Sequence, residues 1–459
     1  QAAVGAAAHN GKLAGNTVFP HITTDTRKIS SGDLFVALRG EKFDGADFAA
    51  EALERGAAAV IVGTPLSTSA EKALKKAKGT VLKAEDGLRA YQAIAHAWRM
   101  KFDIPVIAIT GSNGKTTTKE LTAAVLSGRG KVCRTAANYN NEVGLPLTLL
   151  GIMPEDFAAV VEIGMRGLGQ IAALAPVAAP TIGIVTNVCE VHMELLGSIE
   201  NIAKAKAELV EAIPSGGTVI LNADDSRVAA MRSFAADGVR ILTYGIDADA
   251  DVRAEALQCA ADGSRFMVTY ANERHEYAVS LPGRHNVSNT LAALAAGFAL
   301  GLTPQEMQAG LRNIEGTKMR YETESVGAWM FINDAYNASP SSMRAALETT
   351  AALYPGRKIA VLGDMLELGA AAEEAHRMIG RAAELDFAAV VTYGPQARWI
   401  HEAAEKTGCA VCCHAETHEE AAQLLRKILS DGDTVLFKGS RGMRMEQVIT
   451  LLTGEKAGH

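Results

Sequence analysis

The chain has 459 residues, a net charge of -7 and a pI near 5.9. This length exceeds one hydrophobic core, so we expect two to four domains. The mildly acidic balance offers no basic surface for nucleic acid or a membrane, so anionic ligands must be held by local groups. The six cysteines have no zinc-site or disulfide-framework spacing, no apolar run reaches a membrane span, and no signal-peptide pattern opens the chain. We therefore expect a reduced, cytoplasmic protein.

The first block of the chain, to about residue 84, mixes helical and strand patterns. After TTDTRKISSGDLFVALRG, a helical pattern covers residues 48–55 and the strand-like AAAVIVG follows. A helical stretch rich in Ser, Thr, Glu and Lys then leads to a second strand, TVLKA. This block is predicted to be a small α/β domain.

The second block opens with a helix predicted over residues 85–101 and then alternates helices with the strands VIAIT, AAVVEIG, TIGIVTNV and TVILNA. Near-continuous apolar strands are typical of parallel sheets covered on both faces. After GTKMRYE, the third block repeats the pattern with FINDAY, KIAVLGD, AAVVTYG and TVLFKGS. We predict an α/β protein of three domains, an N-terminal one over 1–84, a central one over 85–314 and a C-terminal, Rossmann-like one over 315–459.

The strongest motif is GSNGKTT, residues 111–117, which follows the predicted strand VIAIT and opens a helix. Backbone N–H groups of a glycine-rich turn, together with a helix N-terminus, bind phosphate. Lys115 can reach the outer phosphates and the Thr116 hydroxyl can ligate Mg²⁺. The match to GxxxxGK[ST] is imperfect, because the first glycine falls at Gly111 rather than at Ile109. The alternative is a glycine turn with a surface lysine, but the strand–loop–helix context favours a central domain of the P-loop NTPase type.

Two further polar residues lie at predicted strand ends in the same block. Glu162 ends a buried strand, where a carboxylate is costly unless it is paired or bound to a metal. His192 lies in the loop VCEVHMELLG after the next strand. Ligands of open parallel sheets bind outside the carboxyl ends of the strands. Each residue alone reads as structural, but together behind a phosphate loop they favour convergence on metal and phosphate.

A lysine falls on the apolar stripe of the helix predicted over 199–213. Its apolar positions recur at helical spacing, with Lys206 among them and Lys204 on another face. A lysine there either extends to solvent along its stem or is paired or chemically modified. Periodicity alone favours the first of these readings.

The third block contributes two candidate loops that follow strands. Asp334 ends FIND, and Ser339-Pro340 has the pattern of a helix N-cap followed by a first-turn proline. KGSR, which begins at Lys438, follows the strand TVLF in the same way. Turn chemistry alone explains both segments as well as a ligand site does.

Taken in order, these segments resemble the Mur ligase family, which assembles the peptide stem of peptidoglycan, over essentially the whole chain. GSNGKTTT, NYNNEVGLP, EIGM, TNVCEVHMELLGS, KAKAELV, NADD and GRHNVSN are similar to the family's central domain. DAYNASPSSM, VLGDMLELG and TDTRKISSGDLFVALRGEKFDG resemble the branch that adds D-alanyl-D-alanine to UDP-N-acetylmuramoyl-tripeptide. The DNPR-type segment of the sister enzyme that adds the third residue is absent from the sequence.

The resemblance implies an ATP-dependent ligase that works through an acyl phosphate, with ATP and two Mg²⁺ ions as cofactors, and a monomer. It implies ATP phosphate contacts from Gly111, Ser112, Asn113, Gly114, Lys115, Thr116 and Thr117. It implies metal binding by Thr116, Glu162, His192 and Lys206 as a carbamate. It implies adenine-side contacts from Asn286 and Asn289 and nucleotide contacts from Arg320 and Asp334 of the third domain. It also implies catalytic roles for Lys115, Lys206, His192 and Glu162. Substrate contacts are implied for Thr24, Asp25, Thr26, Arg27, Asn138, Asn141, Tyr336, Asn337 and Ser339.

Three other functions compete with this prediction. A folate polyglutamylating ligase shares the chemistry, but the N-terminal uridine-type block argues against it. A P-loop switch or kinase accounts for GSNGKTTT but not for Lys206, GRHNVSN or the third domain. A non-catalytic homologue is expected to lose Lys115, Glu162 or His192, and all three are present.

Overall fold

A computed structural model describes residues 17–314, 316–383 and 386–454, and the backbone of residues 7–10. The outer ends of the first and third predicted domains, and Glu315 where the third was predicted to begin, lie outside the described residues. The three domain boundaries stay a prediction. No helix in the described ranges has the length and apolar character needed to cross a membrane.

The elements of the N-terminal region are β1 (Ala7–Asn10), β2 (Ile22–Thr23), β3 (Leu34–Val36), α1 (Ala49–Glu54), β4 (Ala59–Gly63), α2 (Thr68–Lys76), β5 (Thr80–Ala84) and α3 (Gly87–Arg99). The strands form a sheet in the order β1-β5-β4-β3-β2, parallel except for β1. Alternate residues of its strands enter two different cores, because successive side chains of a strand point to opposite faces. Phe35, Val60 and Val81 pack against α1 and α2, whereas Leu34 and Ile61 pack against α3.

The central region contributes nine strands and eight helices among the described residues. They are β6 (Val106–Thr110), α4 (Lys115–Ser127), β7 (Lys131–Arg134), α5 (Gly144–Leu150), β8 (Asp156–Glu162), α6 (Gln170–Ala178), β9 (Ile182–Val185), α7 (Met193–Leu196), α8 (Ile199–Glu211), β10 (Thr218–Asn222), α9 (Ser226–Ala230), β11 (Arg240–Gly245), β12 (Val252–Ala260), β13 (Gly263–Tyr270), β14 (Glu273–Val279), α10 (Arg284–Ala299) and α11 (Pro304–Leu311). The helix predicted over 199–213 ends two residues earlier, at Glu211, with Ala212 as its C-cap.

The predicted parallel arrangement holds for β9, β10, β11 and β12, which lie side by side. The sequence analysis missed an antiparallel arm, β12-β13-β14, beyond them. These strands alternate exposed and buried residues, so they lack the continuous apolar runs that marked the parallel strands.

The elements of the C-terminal region are β15 (Glu322–Val326), β16 (Trp329–Asp334), α12 (Pro340–Leu353), β17 (Lys358–Gly363), α13 (Ala372–Ala383), β18 (Ala389–Tyr393), α14 (Arg398–Thr407), β19 (Cys412–Ala415), α15 (His418–Ile428), β20 (Thr434–Lys438) and α16 (Glu446–Thr453). The strands form a sheet in the order β15-β16-β20-β17-β18-β19, and among them only the edge strand β15 is antiparallel. The two faces of this sheet carry separate cores. Phe331, Val361 and Phe437 face α15 and α16, whereas Ile332 and Leu436 face α12, α13 and α14.

The described structure divides into two compact units. The first comprises residues 1–108, 132–163 and 172–180, and the second comprises residues 109–131, 164–171 and 181–459. The phosphate-loop motif, Lys206 and the candidate residues of the C-terminal sheet all belong to the second unit. Glu162 and residues 24–27 belong to the first.

Candidate active site

The glycine-rich loop has the geometry that its sequence predicted. β6 ends at Thr110 and α4 begins at Lys115, with Gly111 at φ 152° and Gly114 at φ 78°. Only glycine adopts such angles without strain. At Gly111 a Cβ atom would also lie 1.8 Å from the Thr186 hydroxyl oxygen. The loop therefore needs a bare backbone, and it leads directly into a helix N-terminus that favours anions.

Lys115 folds back over this loop. Its ammonium nitrogen donates hydrogen bonds to the carbonyl oxygens of Gly111 at 2.8 Å and Ser112 at 3.1 Å. Those bonds hold a positive charge beside the backbone N–H groups of the turn. The combination suits a phosphate chain, whose charge a cation and N–H donors neutralise together.

The segment after β9 braces the loop, which the sequence analysis did not foresee. The Asn187 side-chain oxygen accepts from the Asn113 N–H at 2.8 Å, and the Thr186 hydroxyl donates to the Asn113 carbonyl at 2.7 Å. The Ser112 hydroxyl accepts from the Cys189 N–H at 2.9 Å. Polar residues placed directly after a buried parallel strand were the available signal, because neighbouring strand ends share one edge of a sheet.

The C-terminal sheet reaches the same loop through the start of α12. The Asn113 side-chain nitrogen donates to the Ser341 hydroxyl at 2.9 Å, and the Ser339 hydroxyl donates to the Asn113 side-chain oxygen at 3.2 Å. Ser339 is the N-cap of α12, as predicted, with Pro340 at the first position and a capping box to Ser342. Asn113 thus links the phosphate loop to the N-terminus of a second helix.

Arg320 also contacts the loop. Its guanidinium donates to the Thr116 hydroxyl at 2.9 Å and stacks on Tyr336, with the guanidinium carbon 4.0 Å from the ring centroid. The Nε atom of Arg320 is buried and finds no hydrogen-bond partner among the described residues. Arg320, which was predicted to contact the nucleotide, and Tyr336, which was predicted to contact the substrate, therefore lie together beside Thr116.

An ion pair between the buried Lys438 and the partly exposed Asp334 lies at the end of β16. Lys438 donates to an Asp334 carboxylate oxygen at 2.6 Å and to the Asn337 carbonyl at 3.0 Å, and the other Asp334 oxygen accepts from the Tyr321 N–H. Both Asp334 oxygens are occupied in this way. The pair fixes the loop that carries Tyr336 and Asn337.

Asn286 and Asn289 lie in the buried first turns of α10. Asn289 accepts from the Thr118 hydroxyl at 3.3 Å and donates to Asn286 at 3.3 Å, while Asn286 donates to the Pro282 carbonyl at 2.8 Å. A Cβ atom on Gly114 would lie 2.5 Å from the Asn289 side-chain oxygen. The two amides therefore support the phosphate loop, and their predicted contact with adenine stays a prediction.

His192 meets an acidic residue that the sequence analysis did not assign to the site. Its Nδ1 atom lies 2.5 Å from a carboxylate oxygen of Glu367, in the loop that follows β17. Burial lowers the pKa of His192, the Glu367 carboxylate opposes that shift, and the positive charge of Lys115 adds to it. The imidazole is therefore kept closer to its neutral form, which is the form that binds metals.

Lys206 is fully buried, with 1% of its surface exposed, whereas Lys204 is exposed. The interpretation that periodicity favoured, in which Lys206 extends to solvent along its stem, is therefore wrong. Burial lowers its pKa far below the ordinary value, and the nearby Lys115 lowers it further. Within the described parts of the chain its amine has neither a hydrogen bond nor an ion pair. Burial therefore favours the neutral form of the amine, which is the form that can be chemically modified.

Glu162 ends β8 with 2% of its surface exposed. It accepts a hydrogen bond from the side chain of Asn140 at 2.7 Å, and its N–H donates to the Thr135 hydroxyl at 3.1 Å. Sequence analysis chose Asn138 and Asn141 in this segment and passed over Asn140. Asn138 is exposed, and Asn141 accepts from the Gly144 N–H at the start of α5.

The predicted uridine segment forms a single helical turn, residues 26–28, capped by Asp25. Arg27 donates two side-chain hydrogen bonds to Asp25, at 2.9 and 2.8 Å, and this contact lowers the pKa of Asp25 to about 2. Thr24 and Thr26 flank the pair and are partly exposed.

Comparison with protein families gives three matches in chain order. The Mur ligase family catalytic domain matches residues 19–99, the Mur ligase middle domain matches 109–297, and the Mur ligase glutamate ligase domain matches 319–441.

Relatives and solved structures agree with these family matches. The UDP-N-acetylmuramoyl-tripeptide–D-alanyl-D-alanine ligase of Bacillus subtilis is 37% identical, and the alignment covers 94% of this chain and 93% of that protein. The crystal structure of MurF from Acinetobacter baumannii has a TM-score of 0.89 at 30% identity, covering 99% and 98% of the two chains. MurF ligase from Thermotoga maritima, solved in complex with ADP, has a TM-score of 0.84 at 26% identity, covering 96% and 99%.

The family matches and the relatives define an ATP-dependent ligase, whose phosphate loop is braced by two sheets beside a buried lysine. The chain belongs to the Mur ligase family.

Proposed function

We propose that this protein joins D-alanyl-D-alanine to UDP-N-acetylmuramoyl-tripeptide, with ATP converted to ADP and phosphate. The observation that carries the proposal is the 37% identity to a ligase of that name over nearly the full length of both chains. We place the protein in the cytoplasm as a monomer that binds neither nucleic acid nor a membrane. The mild net charge of -7 is consistent with that placement.

The reaction follows from the poor leaving group of a carboxylate. A carboxylate oxygen of the tripeptide attacks the γ-phosphorus of ATP, and ADP leaves, which gives an acyl phosphate. The amine of D-alanyl-D-alanine then attacks the acyl carbon and loses a proton, and phosphate leaves from the tetrahedral intermediate. Lys115, held over the loop by its bonds to Gly111 and Ser112, neutralises the phosphoryl oxygens during the first step.

Phosphate binding is assigned to the loop from Gly111 to Thr117. Its bare backbone at Gly111 and its supports from Asn187 and Ser339 keep the N–H donors in place before the nucleotide enters. Arg320 and Asp334 would act on the nucleotide from the C-terminal sheet. Asn286 and Asn289 would contribute to nucleotide binding from α10, next to the phosphate loop that they support.

Mg²⁺ is part of the proposal, and the second unit has residues that fit it. No group of three His, Cys, Asp or Glu side chains in the described part of the chain could hold a metal ion. A carbamate on Lys206 would add the missing oxygen donors, and the buried amine of lowered pKa suits carbamate formation. Thr116, His192 and the modified Lys206 would then hold Mg²⁺, which supplies charge neutralisation at the phosphates. The parts assigned to Glu162 and to a second ion stay predictions.

Substrate recognition is assigned to three groups of polar side chains. Thr24, Asp25, Thr26 and Arg27 would hold the uridine nucleotide, with the bidentate Asp25–Arg27 contact fixing the turn. Asn138 and Asn141 would lie near the phosphate and acyl groups. Tyr336, Asn337 and Ser339 would contact the remaining substrate groups, on a loop held by Lys438.

The test is release of phosphate from ATP, measured with both substrates and with each one omitted. Because the phosphoryl acceptor is the peptide carboxylate, we expect fast release only when UDP-N-acetylmuramoyl-tripeptide and D-alanyl-D-alanine are both present, with pentapeptide product in equal amount. ADP formation at the full rate without the tripeptide would contradict the proposal and indicate a plain ATPase.

A further inference from the structure

His192 and Glu367 lie 175 residues apart in sequence and are joined by two hydrogen bonds between their segments. The His192 Nδ1 atom is 2.5 Å from a Glu367 carboxylate oxygen, and the Glu194 N–H donates to the Glu367 carbonyl at 3.3 Å. The first segment follows β9 and the second follows β17. The contact therefore links the central strands to the C-terminal sheet beside the phosphate loop.

Both residues have left-handed backbone angles although neither is glycine. His192 has φ 55° and Glu367 has φ 65°. Such conformations persist where surrounding contacts over-determine them, and they concentrate at functional sites. The second unit supplies those contacts on both sides of the pair.

The Glu367 loop is anchored on either side of the strained residue. The Leu366 N–H donates to the Ser440 hydroxyl and the Met365 N–H donates to the His376 ring, both at 2.9 Å. Leu368 is buried in the core beneath the loop. On the opposite side, the His192 carbonyl accepts from the Leu196 N–H at 3.0 Å at the start of α7. The two side chains are thus presented to each other by rigid segments.

We infer that Glu367 is a positioning residue for His192, a role that rests on the proposed function and extends it. A carboxylate only accepts hydrogen bonds, so the proton of the imidazole is placed on Nδ1. The lone pair is then on Nε2, which is left as the metal-binding atom. A carboxylate behind a ligating histidine fixes both the tautomer and the ring direction. Glu367 therefore makes His192 ready for the ion before nucleotide and metal arrive.

The experiment compares Glu367→Ala and Glu367→Gln with the wild-type protein. Glu190→Gln is the matched control, because Glu190 is an exposed carboxylate in the His192 loop without a side-chain hydrogen bond or ion pair in the described structure. The first measurement is nitrogen NMR of histidine-labelled protein in mildly alkaline buffer, with the His192 signal assigned by its loss in His192→Gln. The second is the affinity for Mn²⁺ in the presence of ADP.

We expect wild type and Glu190→Gln to show the Nδ1–H tautomer at His192, and Glu367→Ala to lose it. Mn²⁺ binding to Glu367→Ala should weaken about tenfold or more, which is the usual effect of removing such a partner. Glu367→Gln, which still accepts a hydrogen bond, should show a smaller loss. The melting temperatures should agree within a few degrees, because the Glu367 side chain is half-exposed.

An unchanged tautomer and unchanged Mn²⁺ affinity in folded Glu367→Ala would overturn the inference. Equal losses in Glu190→Gln would also overturn it, since they would reflect net charge alone. The tautomer measurement needs neither substrate nor metal. A wild-type protein with the expected tautomer but without ligase activity would therefore contradict the proposed function and leave the positioning role intact.

Discussion

The guanidinium of Arg320 donates a hydrogen bond to the hydroxyl of Thr116, the group that the phosphate-loop pattern assigns to the metal. A metal ion on the Thr116 hydroxyl oxygen would compete with this bond, so we expect Arg320 to shift when nucleotide and metal bind. Its stack on Tyr336 gives the side chain a second support. We expect the guanidinium of Arg320 to give up its hydrogen bond to Thr116 and to donate to phosphate oxygens of the nucleotide instead.

Replacement of Arg320 should separate stability from activity. In Arg320→Met the melting temperature should stay within a few degrees of wild type. The lost bond to Thr116 is offset by removal of the buried, unpartnered Nε atom, which costs about 1–3 kcal/mol. Turnover should fall about a hundredfold, the scale for loss of one charge that stabilises the transition state. Thermal melts and kcat test this, and full turnover in Arg320→Met would exclude Arg320 from the site.

Lys206→Ala should be nearly inactive, because the variant cannot carry the carbamate that we propose at this position. Added formate or acetate should restore part of the turnover by filling the vacated anion site. The matched control is Lys204→Ala, two residues away on the exposed face of α8, which should be close to wild type. The measurement is the turnover of both variants with and without added formate or acetate. Full activity in Lys206→Ala, or failure of Lys204→Ala alone, would place the metal-bridging role elsewhere.

Gly111→Ala should destabilise the protein as well as abolish nucleotide binding. The new methyl group would lie 1.8 Å from the Thr186 hydroxyl oxygen at a φ of 152°. Overpacking and backbone strain each cost about 1–3 kcal/mol. Gly169→Ala is the control, since Gly169 has φ 80° but no atom within 4 Å of the added carbon. Chemical denaturation should show the larger loss at Gly111, and equal losses would mean that the contact with Thr186 is relieved at no cost.

His376 should make the protein less stable in acid. Its Nε2 atom accepts from the Met365 N–H at 2.9 Å and its Nδ1 atom bonds the Ala372 carbonyl at 2.6 Å, so the buried ring is neutral. Burial lowers its pKa below the ordinary 6.5. On acidification His376 therefore takes up a proton in the unfolded chain at a higher pH than in the folded protein. Its contribution to the free energy of unfolding is complete above pH 6.5 and is lost as the pH falls below that value.

One such group changes the free energy of unfolding by at most about 1.4 kcal/mol per pH unit. His376→Gln, whose side-chain oxygen can still accept the Met365 N–H, should show a shallower loss of unfolding free energy below pH 6.5 than wild type. Denaturation curves at several pH values measure this. Identical slopes in the two proteins would show that the ring does not control the acid response.

Much of the architecture was determined by local sequence patterns. The strand β6, the glycine turn and the start of α4 follow from an apolar run, two glycines and the chemistry of a helix N-terminus. The Ser339-Pro340 cap of α12 was predicted for the same reason, because all the interacting groups lie within a few residues. The antiparallel arm β12-β13-β14 was missed, since its strands are half-exposed and lack a continuous apolar run.

The site depended on contacts between distant segments. Periodicity placed Lys206 on the apolar face of α8, but only the tertiary structure decided that its amine is buried and close to Lys115. The position of Asn187 directly after a buried strand predicts that it lies at the sheet edge, and Glu367 carries no such signal. Nothing near either residue in sequence shows which loops will meet. Strand order brings those loops to one place, and burial there removes the water that would otherwise solvate the charges. Local sequence determined which residues could do the chemistry, and the tertiary structure decided which of them meet and in which charge state.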